Sequence, residues 1–150
     1  MKIALIASDG GHLTQIQTLF TKEVLGGNES LIITNRNKKT EEIPGKKYLF
    51  GDDPGYNPFK YPKFIMACYK ILKKEGVSLV ITTGAEIGLC SMIAAKMLGI
   101  KTVFIETIIR VKTPTWAGRL SYPFADVFLV QNKDMKKYYG RRAIYRGGII

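Results

Sequence analysis

Short apolar runs alternate with longer segments of helical spacing along most of the chain. The first run, 2–7, precedes a turn with two glycines, and from His12 onward apolar residues share one face of a helix. These strand-length runs are too continuously apolar for a half-exposed sheet, which predicts a doubly wound parallel α/β domain. Further strands are predicted at 30–34, 47–50, 78–82, 101–106, 126–130 and 143–145.

Two further helices are predicted between these strands. The segment 58–75 has helical spacing, and 87–98 is almost wholly apolar and is closed by Gly99. The segments 35–40 and 51–58 are predicted to be loops, the first because it is polar and basic and the second because it contains two prolines and two glycines. No linker or repeat interrupts the pattern, so residues 1–150 are expected to form one domain.

Composition agrees with a single globular domain. The chain has 150 residues, of which 46% are apolar and 23% charged, so a core can form without metal or disulfides. Cys68 and Cys90 lie in apolar surroundings without metal-ligand spacing, and buried reduced thiols in a cytoplasmic protein are therefore expected.

The charge predicts an anionic partner. Lys and Arg number 23 against 12 acidic residues, a net charge of +11, which suits a nucleic acid, a phospholipid surface or a phosphorylated substrate. The apolar start of the chain is too short for a signal sequence, and the longest apolar stretch, 87–100, contains Lys96 and is too short to span a bilayer. Any membrane association is therefore expected to be peripheral.

The turn after the first strand, residues 8–15 with the sequence SDGGHLTQ, is the first candidate site. Gly10 and Gly11 allow the backbone to approach an anion, and the free N–H groups of the following helix favour phosphate there. The only histidine, His12, has two interpretations: a general base or phosphate donor, or a helix-start residue bonded to a nearby carbonyl. No metal-ligand set accompanies it.

Two later strand ends offer further candidates. Thr83 and Gly84 follow a buried strand and can line a ligand, but ordinary turn and helix-capping chemistry is the favoured explanation of this loop. At the carboxyl end of the strand at 101–106, Glu106 can hold a sugar hydroxyl or orient a base, and Arg110, four residues later, can bind a diphosphate. A Glu106–Arg110 ion pair is the alternative.

The helix predicted at 58–75 has a basic face. The usual explanation is a solvated face opposite a buried one. Because Phe59 and Met66 fall among the lysines, shallow contact with an anionic membrane is the second interpretation. The residues assigned to that contact are Lys60, Lys63, Met66, Lys70 and Lys74.

Taken in order, these motifs resemble one known family. The segments SDGGHLTQ, TGAE (83–86), FIET (104–107) and AGRLSYP (117–123), with Arg110 and the closing pair Gly147–Gly148, are similar to the acceptor-side subunit of split GT-B glycosyltransferases. That family includes the membrane-anchoring subunit of the two-subunit N-acetylglucosamine transferase of dolichol-linked oligosaccharide assembly. It also includes bacterial counterparts in capsule and exopolysaccharide synthesis.

The resemblance implies half of an enzyme. The chain would correspond to the Rossmann-like N-terminal half of a GT-B transferase and bind a polyprenyl-diphosphate-linked sugar at the inner face of the cell membrane. A separate small subunit would hold the UDP-sugar co-substrate, and neither a permanently bound cofactor nor a metal is implied. His12 and Glu106 would be catalytic, and the diphosphate would meet Gly10, Gly11, Thr14, Thr83, Gly84 and Arg110.

Two other functions remain open from the sequence. The chain could be a non-catalytic membrane adaptor that enhances a complete glycosyltransferase. A nucleic-acid-binding module is permitted by the net charge of +11, but no recognition motif or stacking platform accompanies the basic residues, so no nucleic-acid partner is predicted.

Overall fold

The structure, a computed structural model, describes residues 1–148 and is built on one seven-stranded sheet. All neighbouring strands are parallel, which confirms the predicted α/β class. The strands are β1 (Lys2–Ile6), β2 (Glu29–Asn35), β3 (Lys46–Phe50), β4 (Leu79–Thr82), β5 (Lys101–Ile105), β6 (Val127–Val130) and β7 (Ala143–Tyr145). The helices are α1 (Gly11–Leu19), α2 (Lys22–Leu25), α3 (Lys38–Glu41), α4 (Tyr61–Glu75), α5 (Ala85–Met97), α6 (Trp116–Ser121) and α7 (Lys136–Tyr139).

The strand order β3-β2-β1-β4-β5-β6-β7 reverses direction between β1 and β4. From β1 the chain continues through β2 to β3 at one side of the sheet. Helix α4 then connects β3 to β4, which lies on the other side of β1 and begins the second half of the sheet. The loops that follow β1 and β4 therefore diverge at the carboxyl edge of the sheet. In open parallel sheets this switch point is where ligands bind.

Helices cover both faces of the β1–β4 region. On one face, α4 and α5 bury Phe64, Cys68, Leu72 and Ile87 against side chains of β1, β2 and β4. On the other, α1 buries Leu13 and Ile16. The two cysteines are buried free thiols, as the sequence predicts, and burial raises the pKa of Cys90 to about 12.

The β5–β7 half of the sheet is covered differently on its two faces. Towards α5, Phe104 and Phe128 stack with ring centroids 4.8 Å apart in a core that also contains Met92 and Tyr139. On the opposite face, Ile105 of β5 is buried in the cluster that contains Leu13 and Ile16 of α1, whereas Val127 of β6 and Ile144 of β7 stay more than a third exposed. Leu19, Phe20, Ile105 and Leu129 line an apolar groove of about 340 Å³ beside them.

Short helices are the main difference from the predicted elements. The segment predicted as a loop at 35–40 contains the start of α3, where Asn37 and Thr40 form a reciprocal capping box. Helices α2, α6 and α7 were also not predicted, since four to six residues are too few to establish a helical period. The predicted helix 58–75 begins with a 3-10 turn at Pro58–Lys60 before α4.

Candidate functional site

Two glycine turns meet at the switch point of the sheet. Gly10 precedes α1 with φ +83°, and Gly84 precedes α5 with φ +107°, so both positions need a backbone that glycine adopts without strain. Neither helix start receives a side-chain cap. The first N–H groups of both helices are thus left for an anion at the same edge.

His12 joins the two turns through reciprocal hydrogen bonds. Its Nδ1 lies 2.7 Å from the carbonyl oxygen of Thr83, and the Thr83 hydroxyl donates to the carbonyl oxygen of His12 at 2.8 Å. A carbonyl only accepts, so Nδ1 carries the proton and the lone pair of the neutral ring is on Nε2. Within residues 1–148 no group bonds to Nε2, which is free to accept a proton.

A cavity of about 240 Å³ opens beside this histidine. Its charged lining consists of Glu86, in the first turn of α5, and Arg110, in the loop after β5. Within residues 1–148, the guanidinium of Arg110 donates only a long bond of 3.5 Å, to the Thr113 hydroxyl. The cavity therefore combines a proton acceptor, a carboxylate and a cation in one place. The complete lining is Ser8, His12, Tyr56, Ala85, Glu86, Arg110, Thr115, Trp116 and Ala117.

Glu106, the second predicted catalytic residue, lies outside the lining of this cavity. Its side chain is 1% exposed and accepts hydrogen bonds from the Thr107 N–H at 3.0 Å, the Thr115 N–H at 3.2 Å and the Thr115 hydroxyl at 3.0 Å. The Tyr139 hydroxyl also donates to it. The Glu106–Arg110 ion pair considered from the sequence does not form in the described part of the chain. Glu106 instead fixes the start of α6, because Thr115 caps that helix.

The other predicted ligand residues are distributed around the two turns. Thr83 and Gly84 are buried between β4 and α5, against His12. Thr14 is exposed on the first turn of α1 and donates its hydroxyl to the Gly10 carbonyl at 3.1 Å. It lines a separate cavity of about 180 Å³ together with Gly10.

The predicted membrane-binding residues line the exposed side of the 58–75 segment. Lys63, Met66, Lys70 and Lys74 are exposed on α4. Lys60 lies in the 3-10 turn before the helix, and its amine contacts both carboxylate oxygens of Asp52 at 3.1 Å, so much of its charge is neutralised locally.

Sequence reasoning missed several residues of the site. Glu86 was not predicted as a site residue, although its position after Gly84 could have indicated a cavity residue. Tyr56 and Trp116 come from loop and short-helix segments without periodic signal, and only the fold brings their ring centroids to 5.4 Å. Residues 1–148 contain no cluster of metal-binding side chains, and none of their helices has the length and apolarity needed to cross a bilayer.

Comparison with known proteins identifies the family of the chain. A family profile described as "Oligosaccharide biosynthesis protein Alg14 like" matches residues 62–149, more than half of the chain. The chain belongs to the Alg14-like family. The matched part of this Alg14-like protein includes α4 after its first residue, the Gly84 turn, Glu106 and Arg110, whereas the Gly10–His12 turn lies before it.

Curated relatives include two kinds of transferase. The chain is 40% identical over 50 residues to the UDP-N-acetylglucosamine transferase subunit ALG14 of Eremothecium gossypii, covering 33% of this chain and 22% of that protein. It is 34% identical over 114 residues to a UDP-N-acetylglucosamine--N-acetylmuramyl-(pentapeptide) pyrophosphoryl-undecaprenol N-acetylglucosamine transferase of Clostridium botulinum, covering 75% of this chain and 31% of that protein. The Alg14-like chain thus spans less than a third of these relatives.

Solved structures share the fold. MurG of Acinetobacter baumannii superposes with a TM-score of 0.77 at 16% identity, covering all of this chain and 47% of MurG. The UDP-GlcNAc 2-epimerase of Methanocaldococcus jannaschii superposes with a TM-score of 0.78 at 14% identity, covering 99% of this chain and 47% of the epimerase. The Alg14-like chain therefore has the Rossmann-like fold of the N-terminal half of GT-B proteins, as the sequence predicts.

Proposed function

We propose that this protein is the acceptor-binding half of a two-subunit glycosyltransferase that acts on a sugar carried by a polyprenyl diphosphate. The cavity at the switch point, which combines His12, Glu86 and Arg110, carries the proposal. Membership of the Alg14-like family supports the reaction class. Lipid-linked oligosaccharide, capsule or exopolysaccharide synthesis is the corresponding process.

The acceptor diphosphate is held by cationic and backbone groups. Arg110 provides a guanidinium that can fork onto phosphate oxygens, and the uncapped starts of α1 and α5 direct N–H groups to the same edge. These groups come from the turns at Gly10–Gly11 and Thr83–Gly84. Thr14, beside Gly10, is the outermost member of this set.

His12 acts as the general base. Its Nε2 takes the proton of the acceptor hydroxyl while that oxygen bonds to the anomeric carbon of the donor sugar. The bond from this carbon to the UDP oxygen breaks, and UDP leaves with the electron pair. The Thr83 carbonyl, 2.7 Å from Nδ1, stabilises the imidazolium that results. Glu86 accepts hydrogen bonds from acceptor hydroxyls, and Glu106 positions Thr115 at the cavity wall.

The donor UDP-sugar is held mainly by a small partner subunit. The exposed face of β6 and β7, with the adjoining apolar groove of about 340 Å³ beside the carboxyl edge, is the surface that we assign to that partner. Peripheral attachment to the cytoplasmic face of the membrane is assigned to Lys63, Met66, Lys70 and Lys74 on α4, with Lys60 before it.

The test is reconstitution with a small UDP-sugar-binding subunit from the same organism. UDP-[14C]N-acetylglucosamine and a polyprenyl-diphosphate sugar are supplied, and label transferred to lipid is counted. Loss of the general base in His12→Ala should reduce turnover about 10²- to 10⁴-fold. Thr18→Ala, an exposed change on the same helix, should leave turnover unchanged.

Circular dichroism and co-purification with the partner establish that His12→Ala still folds and pairs. Full turnover by this variant would remove His12 from the mechanism. A partner that transfers the sugar alone, and is only enhanced by this chain, would contradict the two-half enzyme and support a membrane adaptor.

A further inference from the structure

A second cavity adjoins the one that contains His12. This groove has a volume of about 330 Å³ and shares two walls with the polar cavity, the rings of Tyr56 and Trp116. These rings lie 5.4 Å apart between centroids, and Tyr61 meets Trp116 edge-on at 6.4 Å. The groove is lined by Tyr56, Pro58, Tyr61, Leu89, Trp116 and Leu120.

The two cavities differ in chemistry. The first presents His12, Glu86 and Arg110, whereas no charged side chain lines the groove. The Tyr61 hydroxyl is already used, since it donates to the Gly55 carbonyl at 2.9 Å, and burial raises its pKa to about 12. The groove therefore favours an apolar occupant.

One ligand that fills both cavities must be apolar along one segment and anionic or polar at the adjoining end. We propose that the groove binds the first isoprene units of the prenyl chain of a prenyl diphosphate, with the diphosphate next to Arg110. This assignment rests on the proposed function, because the same acceptor occupies both cavities. Two observations support it: the two aromatic side chains that line both cavities, and the Arg110 guanidinium in the first cavity, whose charge is opposite to that of a diphosphate.

The burial of one lining residue favours a chain over the surface of a bilayer as the occupant of the groove. Leu89 of α5, which is only 4% exposed, contributes to the lining, so the groove reaches a buried side chain. A flat membrane surface would contact protruding side chains such as Phe59, which is 90% exposed and does not line the groove. The volume is at the lower end of the range of about 300–1,000 Å³ for small-molecule sites, which suits a short part of a long chain.

The chain has a single tryptophan, so Trp116 emission reports on the shared wall without any label. The full chain is titrated with farnesyl diphosphate, geranyl diphosphate and inorganic pyrophosphate, below the micelle concentration of the lipids. Because each added isoprene unit buries several carbons, farnesyl diphosphate should bind about tenfold more tightly than geranyl diphosphate. Pyrophosphate should bind most weakly.

The variant Leu120→Ser removes an apolar wall that is 50% exposed in the free protein, so folding should be retained. The variant should bind farnesyl diphosphate about tenfold more weakly than the wild type, with its affinity for pyrophosphate unchanged. Met97→Ser, a matched loss of an exposed apolar side chain at the end of α5, should bind all three ligands like the wild type.

The outcomes separate the two proposals. Diphosphate binding that does not depend on chain length, or on Leu120, would overturn the groove assignment and leave the proposed function standing. No binding of any diphosphate would overturn both. If Leu120→Ser weakens association with phosphatidylglycerol vesicles but not with farnesyl diphosphate, the groove serves the membrane surface and the prenyl assignment is wrong.

Discussion

Glu86 lines the cavity beside His12, whereas Glu106 lies outside its lining and bonds to Thr115, and these surroundings give the two carboxylates different roles. The carboxylate of Glu106 accepts bonds from Thr107, Thr115 and Tyr139, so its oxygens are engaged within the protein. Burial, followed by the hydrogen bond to Glu106, raises the pKa of Tyr139, which keeps this hydroxyl a donor. Glu86 faces the cavity and is the carboxylate that a bound acceptor can reach.

Gly118 tests whether this enclosed carboxylate stabilises the fold. A Cβ at this position would collide with the Tyr139 hydroxyl and the Glu106 carboxylate, and would lie 2.8 Å from the Thr115 hydroxyl. Gly118→Ala should therefore lower the free energy of unfolding by about 3 kcal/mol, measured by urea denaturation. Gly51→Ala, at a position with no heavy atom within 4 Å of the added Cβ, is the control. Equal stability of the two variants would mean that the Glu106 cluster yields to the added methyl group.

At this scale the sequence predicts which strand ends carry the site but not how each side chain is used. His12 and Arg110 were predicted together because the ends of parallel strands share one edge. The enclosure of Glu106 could not be predicted, since Thr115 and Tyr139 are 9 and 33 residues further along the chain. Their approach depends on α6 and α7, which have no periodic signal.

Helix α4 shows which features of a single helix can be predicted from its hydrophobic spacing. Phe64, Cys68 and Leu72 are buried against the sheet, and the lysines of the opposite face are exposed, as the pattern predicts. The pattern does not predict that the first turn is a separate 3-10 helix, nor that Asp52 pairs with Lys60. Such local partners come from the preceding loop, whose path depends on tertiary contacts.

The proposed membrane role of α4 depends on charge and can be measured directly. The triple variant Lys63→Gln, Lys70→Gln, Lys74→Gln removes three charges worth about 1 kcal/mol each near an anionic surface. Sedimentation with phosphatidylglycerol vesicles should show binding about 100-fold weaker at low salt.

The control is a triple variant with the same change in net charge, made at exposed lysines on other elements: Lys22→Gln, Lys133→Gln, Lys136→Gln. It should retain most of the binding to these vesicles. Equal losses in the two triple variants would show that the net charge of the protein, and not the face of α4, attracts it to the lipid.

Across the whole molecule, the two edges of the sheet have different roles. The carboxyl edge holds the glycine turns and both cavities, and the His12 Nε2, Glu86 and Arg110 of the first cavity remain available to a ligand. At the amino edge, Glu75 from the end of α4 accepts bonds from Lys46 at 2.7 Å and Lys2 at 3.3 Å. The Tyr48 hydroxyl also donates to this carboxylate, so Glu75 ties α4 to β1 and β3. The ion pairs and hydrogen bonds of Glu75 thus stabilise the fold at the amino edge, away from the proposed ligand site.

This arrangement makes stability depend on acid pH. Hydrogen bonds from Lys46 and Tyr48 lower the pKa of Glu75 to about 2, below its ordinary value of 4.5. The folded state therefore binds the proton of Glu75 less readily than the unfolded chain, and the resulting stability is complete above about pH 5. This stability is lost as the pH falls towards 2.

Thermal unfolding should show that Glu75→Gln is less stable than the wild type at pH 7. The variant should also lose less stability than the wild type between pH 5 and pH 2.5. Glu23→Gln, at an exposed glutamate of α2 without an ion pair among residues 1–148, should follow the wild-type profile. Parallel profiles for Glu75→Gln and the wild type would show that other carboxylates govern acid unfolding, and that the amino-edge cluster contributes little to it.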